Sequence, residues 1–227
     1  VPEAIYDIMR ALPKDTHPMD MVRTAYSALA AFDPDYTTPS TDREANIRKA
    51  VRIIAKGSTL VANGHRIREG LDPIKPNPKH STAENFLHLF TGEEPNAETV
   101  NPLDASLVLY AEHGFNASTF ANRVTVATLS DLYSGIVTGI GTLRGPLHGG
   151  ANEEAMRMLL DIDSPARAQA WIDDALTNKK KVMGFGHREY KKGDSRAFYM
   201  TKMAKELGQK KGDTKLGDIA DILEKTM

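Results

Sequence analysis

The sequence predicts an all-α chain, on three observations. Apolar residues recur at i, i+3, i+4 and i+7 through most of the length. Helix-start signals precede several of these stretches: Thr41-Asp42-Arg43-Glu44, Ser81-Thr82-Ala83-Glu84 and Ser164-Pro165. No segment alternates convincingly between apolar and polar residues at the period of two that a half-buried strand requires.

In chain order, Ile5, Ile8, Met9 and Leu12 form one helical face, which Pro13 ends. His17-Pro18-Met19-Asp20 starts the next helix with Asp20 as its expected N-cap. Its stripe is Val22, Tyr26, Leu29 and Ala30, and Asp33-Pro34 closes it. Thr41 and Glu44 fit a capping box ahead of a core face of Ile47, Val51, Ile54 and Ala55. Pro73, Pro76 and Pro78 make the following stretch a loop. Ser81 and Glu84 offer a second box before Phe86, Leu87, Leu89 and Phe90, with Gly92 as the stop. Leu103, Leu107, Tyr110 and Ala111 share a face that Gly114 closes as a C′ glycine. One long helix, capped by Asn116 or Ser118, carries Phe120, Val124, Ala127, Tyr133, Ile136, Val137 and Ile140. It is apolar nearly all round and so expected to be buried on most sides. Ala155, Met158, Leu159 and Ile162 mark a helix after Gly150. Ser164 caps another, with Trp171, Ala175 and Leu176 facing in. Ala197 to Leu207 and Leu216 to Leu223 complete the set.

Composition narrows the function. A net charge of -1 gives no basic excess, so nucleic-acid binding is not suggested. At 41% hydrophobic residues the chain can build a real core, yet no apolar run reaches the length of a membrane span. Cysteine is absent, which excludes disulfides, thiolate catalysis and thiolate metal sites, and fits a cytoplasmic location. Both ends read as cut: Val1 is not an initiator methionine, and Met227 falls inside a helical pattern.

Three histidines stand beside glycine, where backbone can approach a ligand closely: His113 before Gly114, His148 in Gly145-Pro146-Leu147-His148-Gly149-Gly150, and His187 after Gly184-Phe185-Gly186. His148 sits just ahead of a helix N-terminus. The positive end of the helix dipole disfavours an imidazolium there and favours a neutral ring able to donate to a carbonyl oxygen. From the loop alone, a tight turn with an exposed histidine reads the same way. Arg196 follows His187 at Gly193-Asp194-Ser195-Arg196 and is a natural bidentate clamp for a carboxylate. Lysine runs at 179–181 and 191–192 flank Val182 to His187, where a phosphate-bearing ligand is plausible.

The segments Glu112-His113-Gly114-Phe115-Asn116-Ala117-Ser118-Thr119, Gly145-Pro146-Leu147-His148-Gly149-Gly150-Ala151-Asn152 and Gly184-Phe185-Gly186-His187-Arg188-Glu189-Tyr190-Lys191 resemble the citrate synthase family. His17-Pro18-Met19 and Gly212-Asp213-Thr214 are weaker echoes, and the similarity runs along essentially the whole chain. The resemblance implies a two-domain helical fold, here incomplete at both termini, with the active site between the domains. Residues 1–147 would belong to the large domain and 148–227 to the small one. It implies an acyltransferase of the tricarboxylic acid cycle that condenses acetyl-CoA with oxaloacetate to citrate and CoA. The alternatives are 2-methylcitrate synthesis from propionyl-CoA, or a non-catalytic ligand-binding fragment. His148 would donate to the thioester oxygen and stabilise the enol. His187 would polarise the ketone, and His113 and Arg196 would bind the carboxylates. Val182, Gly184, Phe185 and Gly186 would lie along the acyl-CoA co-substrate, partly through backbone. No tightly bound cofactor and no metal are implied, and a homodimer is.

The departures from the family pattern are specific. The family's catalytic aspartate belongs to a motif beyond residue 227, so the isolated chain is expected to bind ligand weakly and not to turn over. Asp194 and Asp213 do not replace it by motif position. Ser195 stands where proline is common and Glu189 where an apolar residue is common, and both bear on the loop carrying Arg196. Two rival readings are weaker. The three histidines are 35 (148 minus 113) and 39 (187 minus 148) residues apart, with no i,i+4 pair to chelate a metal. Gly139-Ile140-Gly141-Thr142-Leu143-Arg144-Gly145 is one residue off a dinucleotide fingerprint and follows no strand, so helix packing or loop entry explains it better. Asn116-Ala117-Ser118 matches a glycosylation sequon but is read as a helix cap.

Overall fold

The computed structural model describes residues 1–112, 114–186, 190 and 193–227. Among them, eleven α-helices and one 3-10 turn follow one another without a strand, so the chain is all-α. The helices form two compact units, Val1–Arg144 and Gly145–Met227.

The first unit holds α1 (Glu3–Ala11), α2 (Pro18–Leu29) with a 3-10 turn (Ala30–Phe32), α3 (Arg43–Arg68), α4 (Thr82–Thr91), α5 (Ala97–Tyr110), α6 (Ala117–Ala127) and α7 (Leu132–Leu143). Its core joins Ile5 and Met9 of α1, Met21, Ala25 and Leu29 of α2, Ile53 and Leu60 of α3, and Tyr133 of α7. Each large apolar side chain removed from water here stabilises the fold by about 1.5–3 kcal/mol. The box ahead of α4 is present as expected. Ser81 Oγ accepts from the Glu84 N–H at 3.2 Å, and Glu84 Oε2 accepts from the Ser81 N–H at 2.6 Å. Gly92 ends that helix in the left-handed conformation.

Other starts differ from expectation. α2 is capped by His17, whose Nδ1 accepts from the Met19 N–H at 3.1 Å; Asp20 lies inside the helix. α3 is capped by Asp42 in place of Thr41, through a 2.9 Å bond from the Ala45 N–H. α5 ends before Gly114, with Ala111 as its C-cap.

The apolar face expected on α3 is the outer one. Ile47, Val51 and Ile54 are exposed, Ile54 by 75%. The packed face runs through Ala45, Lys49, Ile53, Leu60 and Gly64. Side chains of α1 and α2 press on the α3 backbone along this face. A Cβ at Gly57 would stand 3.1 Å from the Tyr26 hydroxyl oxygen, and one at Gly64 would stand 3.0 Å from Met9 Cε. Tyr26 also donates its hydroxyl to the Ile53 carbonyl at 2.8 Å. Glycine at both positions leaves room for these side chains on the inward side of α3.

The long helix expected from Phe120 to Ile140 is a helical hairpin. It breaks at Thr128–Asp131: Leu129 has φ 64°, and Asp131 caps α7 by accepting from the Ser134 N–H at 3.0 Å. Asn116 caps α6. The hairpin closes on a glycine, since a Cβ at Gly135 would meet Asn122 Oδ1 at 2.5 Å and Val126 Cγ1 at 2.7 Å. Gly139 and Gly141 lie within α7, and Ser118 Oγ donates to the Gly139 carbonyl at 3.0 Å. Those glycines serve helix packing. Phe120 and Val124 remain exposed.

One polar network is built into this unit. Asp33, with a fully buried side chain, accepts from Arg52 at 2.6 and 2.9 Å, from the Tyr133 hydroxyl at 2.7 Å and from the Asp35 N–H at 2.9 Å. Burial alone would raise its pKa. The hydrogen bonds from Arg52, Tyr133 and Asp35 outweigh burial and hold it down at about 2. Asp35, bonded to Arg48 and Arg52, is likewise depressed.

The second unit holds α8 (Gly150–Ile162), α9 (Pro165–Thr177), α10 (Ser195–Lys211) and α11 (Lys215–Thr226). Its core is Ile162, Ala168, Ile172, Ala175, Val182, Ile219 and Leu223, with Met158, Leu159 and Trp171 packed against it. Ser164 and Pro165 open α9 as expected. Leu176, expected to face in, is exposed, because Ala168, Ile172 and Ala175 take the inner face of α9.

Candidate active site

His148 lies in the turn that leads into α8. The backbone pins it on both sides. Its N–H donates to the Gly145 carbonyl at 2.9 Å, and its carbonyl accepts from the Ala151 N–H at 3.1 Å. Gly150 also donates to the Gly145 carbonyl at 3.1 Å, and Asn152 to the Gly149 carbonyl at 3.3 Å. The opening amides of α8 are thus absorbed by loop carbonyls, so turn and helix form one hydrogen-bonded piece. Gly149, the N-cap, has helical dihedrals and no side chain to compete for those amides. The ring is half-buried.

Val182, Gly184, Phe185 and Gly186 lie between α9 and α10. Gly184 and Gly186 have φ of 91° and 76°, a region that side-chain-bearing residues rarely enter. Val182 is buried in the core of the second unit, and Phe185 packs against that core. Of Val182, then, the backbone and not the side chain is available to a ligand. A Cβ at Gly184 would be 3.9 Å from Ala155 Cβ of α8. The structure therefore brings this segment against the helix that His148 introduces. Lys179, Lys180 and Lys181 directly precede it and are exposed. Lys180 pairs with Asp174 at 2.7 Å.

Arg196 occupies the first turn of α10, held by the N-cap residue Asp194. Asp194 Oδ1 accepts from the Arg196 N–H at 2.9 Å and from Nε at 3.0 Å; Oδ2 accepts from Nε at 3.0 Å and from Nη2 at 2.5 Å. Ser195, found where the family commonly has proline, is the first residue of α10, a position that either residue can fill. The sequence reading missed the Asp194–Arg196 pair. The available signal was a cap-forming aspartate two residues before an arginine at a helix start. His113 and His187, and with them Arg188 and Glu189, lie outside the described residues.

Comparison with known proteins follows the same lines. The family model for the citrate synthase C-terminal domain matches residues 1–227. A 2-methylcitrate synthase of Mycobacterium tuberculosis is 44% identical over 227 residues, covering 100% of this chain and 57% of that protein. Citrate synthase 2 of Bacillus subtilis is 47% identical over 225 residues, covering 99% of this chain and 60% of that protein. The solved citrate synthase of Thermoplasma acidophilum, in a ternary complex with carboxymethyl coenzyme A and oxaloacetate, superposes with a TM-score of 0.93 at 35% identity. That match covers 100% of this chain and 59% of the solved one. The chain thus spans 57–60% of the length of these relatives. The chain belongs to the citrate synthase family.

Proposed function

We propose that the protein carrying these residues condenses acetyl-CoA with oxaloacetate and hydrolyses the thioester to give citrate and CoA. The observation that carries this reading is His148, fixed through its own backbone in a glycine turn at the start of α8, in the motif that identifies the family. In this reading a neutral His148 donates a hydrogen bond to the thioester oxygen as the enol forms. His187 polarises the ketone of oxaloacetate, and His113 and Arg196 take its carboxylates. The backbone at Val182, Gly184 and Gly186, with Phe185, runs along the coenzyme. The large-domain share is residues 1–147 and the small-domain share 148–227, and the two compact units support that division.

A second acyl substrate is favoured by a specific observation: relatives of nearly equal identity include both citrate synthases and 2-methylcitrate synthases. One extra methyl in an apolar pocket changes discrimination by only about 1–3 kcal/mol, so propionyl-CoA is the runner-up. The assay is CoA-thiol release with oxaloacetate, acetyl-CoA and propionyl-CoA side by side. Release should require oxaloacetate and be faster with acetyl-CoA, and His148→Ala should lower it by at least ~100-fold. Release that ignores oxaloacetate, or that survives His148→Ala, sinks the mechanism. Faster release with propionyl-CoA moves the assignment to 2-methylcitrate.

We propose that the protein is a cytoplasmic homodimer. The exposed Phe120 and Val124 of α6 support an apolar partner surface, and no described helix is long and apolar enough to cross a membrane. Sedimentation giving only monomer at micromolar concentration would count against the dimer.

A further inference from the structure

Arg196 is a long side chain whose reach exceeds the precision a carboxylate clamp needs. Asp194 restrains that freedom. Asp194 grips the guanidinium at Nε and Nη2, and its Oδ1 also accepts from the Arg196 N–H. The two side chains are 27% and 21% exposed, so the pair is partly withdrawn from water. One carboxylate thereby fixes both where α10 begins and where the guanidinium points.

We infer that Asp194 is the positioning residue of the carboxylate clamp, holding Arg196 in one rotamer so that a dicarboxylate meets an ordered guanidinium. The inference rests on the role proposed above for Arg196. It makes a prediction of unusual sign. Electrostatics alone says that removing the Asp194 charge strengthens binding of an anion to Arg196. Positioning says that it weakens binding, because an unfixed guanidinium must be ordered at the moment of binding.

The experiment uses the whole protein that carries these residues, with oxaloacetate as the probe. The Arg196 Nε–Hε resonance is identified by its loss in Arg196→Lys. Hydrogen exchange at that site and the oxaloacetate dissociation constant are then compared in the native chain, Asp194→Asn and Asp194→Ser. Both variants keep a side chain that caps helices well, and circular dichroism checks that α10 is retained. The inference expects exchange at Nε at least tenfold faster and oxaloacetate binding at least tenfold weaker in both variants. Unchanged exchange, or binding that stays within twofold or tightens, overturns it. If oxaloacetate fails to shift the native Arg196 resonance, the clamp role falls and takes the inference with it. If the native resonance shifts and neither variant differs, only the inference falls.

Discussion

In residues 1–144 a carboxylate sits inside the packing: Asp33 is enclosed and takes four hydrogen bonds, from Arg52, Tyr133 and the backbone of Asp35. In residues 145–227 the ion pairs Lys215–Asp163 and Lys180–Asp174 lie at the surface, and Asp194–Arg196 is only partly withdrawn from water. The first unit also packs side chains against helix backbone at Gly57, Gly64 and Gly135, whereas the second places left-handed glycines at 184 and 186 in the segment beside its candidate site. The contrast is between a cross-tied scaffold and a smaller unit whose loops hold the candidate residues His148 and Gly184 to Gly186.

The comparison breaks first at Asp33. Asp33→Ala leaves the Tyr133 hydroxyl and part of Arg52 without an acceptor inside the unit, and should destabilise the fold by about 3–5 kcal/mol in urea unfolding. A loss under about 1 kcal/mol would mean that the network is incidental. The same residue sets an acid limit. Its folded pKa of about 2 lies below the ordinary value of 3.8. Ionised Asp33 therefore contributes its full stabilisation above pH ~4, and that contribution disappears as pH falls through ~2. The loss should persist in high salt, because buried charges are poorly screened. Acid sensitivity abolished by salt would place the responsible groups on the surface.

Gly135 tests the close packing with a smaller effect. Gly135→Ala puts a methyl where Asn122 and Val126 already stand, and overpacking of this kind costs about 1–3 kcal/mol. A neutral Ala variant would show that α6 and α7 separate easily.

These same sites show what the sequence made legible. Starts with local chemistry could be read directly: the Ser81–Glu84 box, and Pro165 as the first residue of α9, depend only on residues within a turn of each other. The inner face of α3 could not be read, because periodicity finds an apolar stripe without saying what the helix packs against. Ile47, Val51 and Ile54 have the right spacing, but Tyr26, Met9 and Met21 pack on the other side, at Gly57 and Gly64. The break between α6 and α7 was hidden for a related reason. Thr128–Asp131 contains no proline or glycine, and the turn rests on Leu129 at positive φ, with its carbonyl accepting from Ser40 Oγ at 2.7 Å. That partner is 89 residues away. At the candidate site, the glycine turn around His148 was legible because its bonds are local. So, in principle, was Asp194 beside Arg196.

The smallest effect sharpens the contrast between cross-ties and surface pairs. Ser81→Ala removes one arm of the capping box, leaves the Glu84 N–H without its acceptor, and should cost about 1 kcal/mol. Glu84 gives an independent reading of the same box. Its pKa is lowered by hydrogen bonds from the Ser81 backbone and side chain, so its titration should move back toward the ordinary carboxylate value in Ser81→Ala, as NMR would show. Lys215→Ala is the matched control in the other unit. It removes a 2.6 Å ion pair with Asp163 in which both side chains are about half exposed, and such pairs rarely change stability measurably. If Lys215→Ala costs as much as Ser81→Ala, surface pairs hold the second unit together, and its loops are less independent of its frame than the buried network of the first unit suggests.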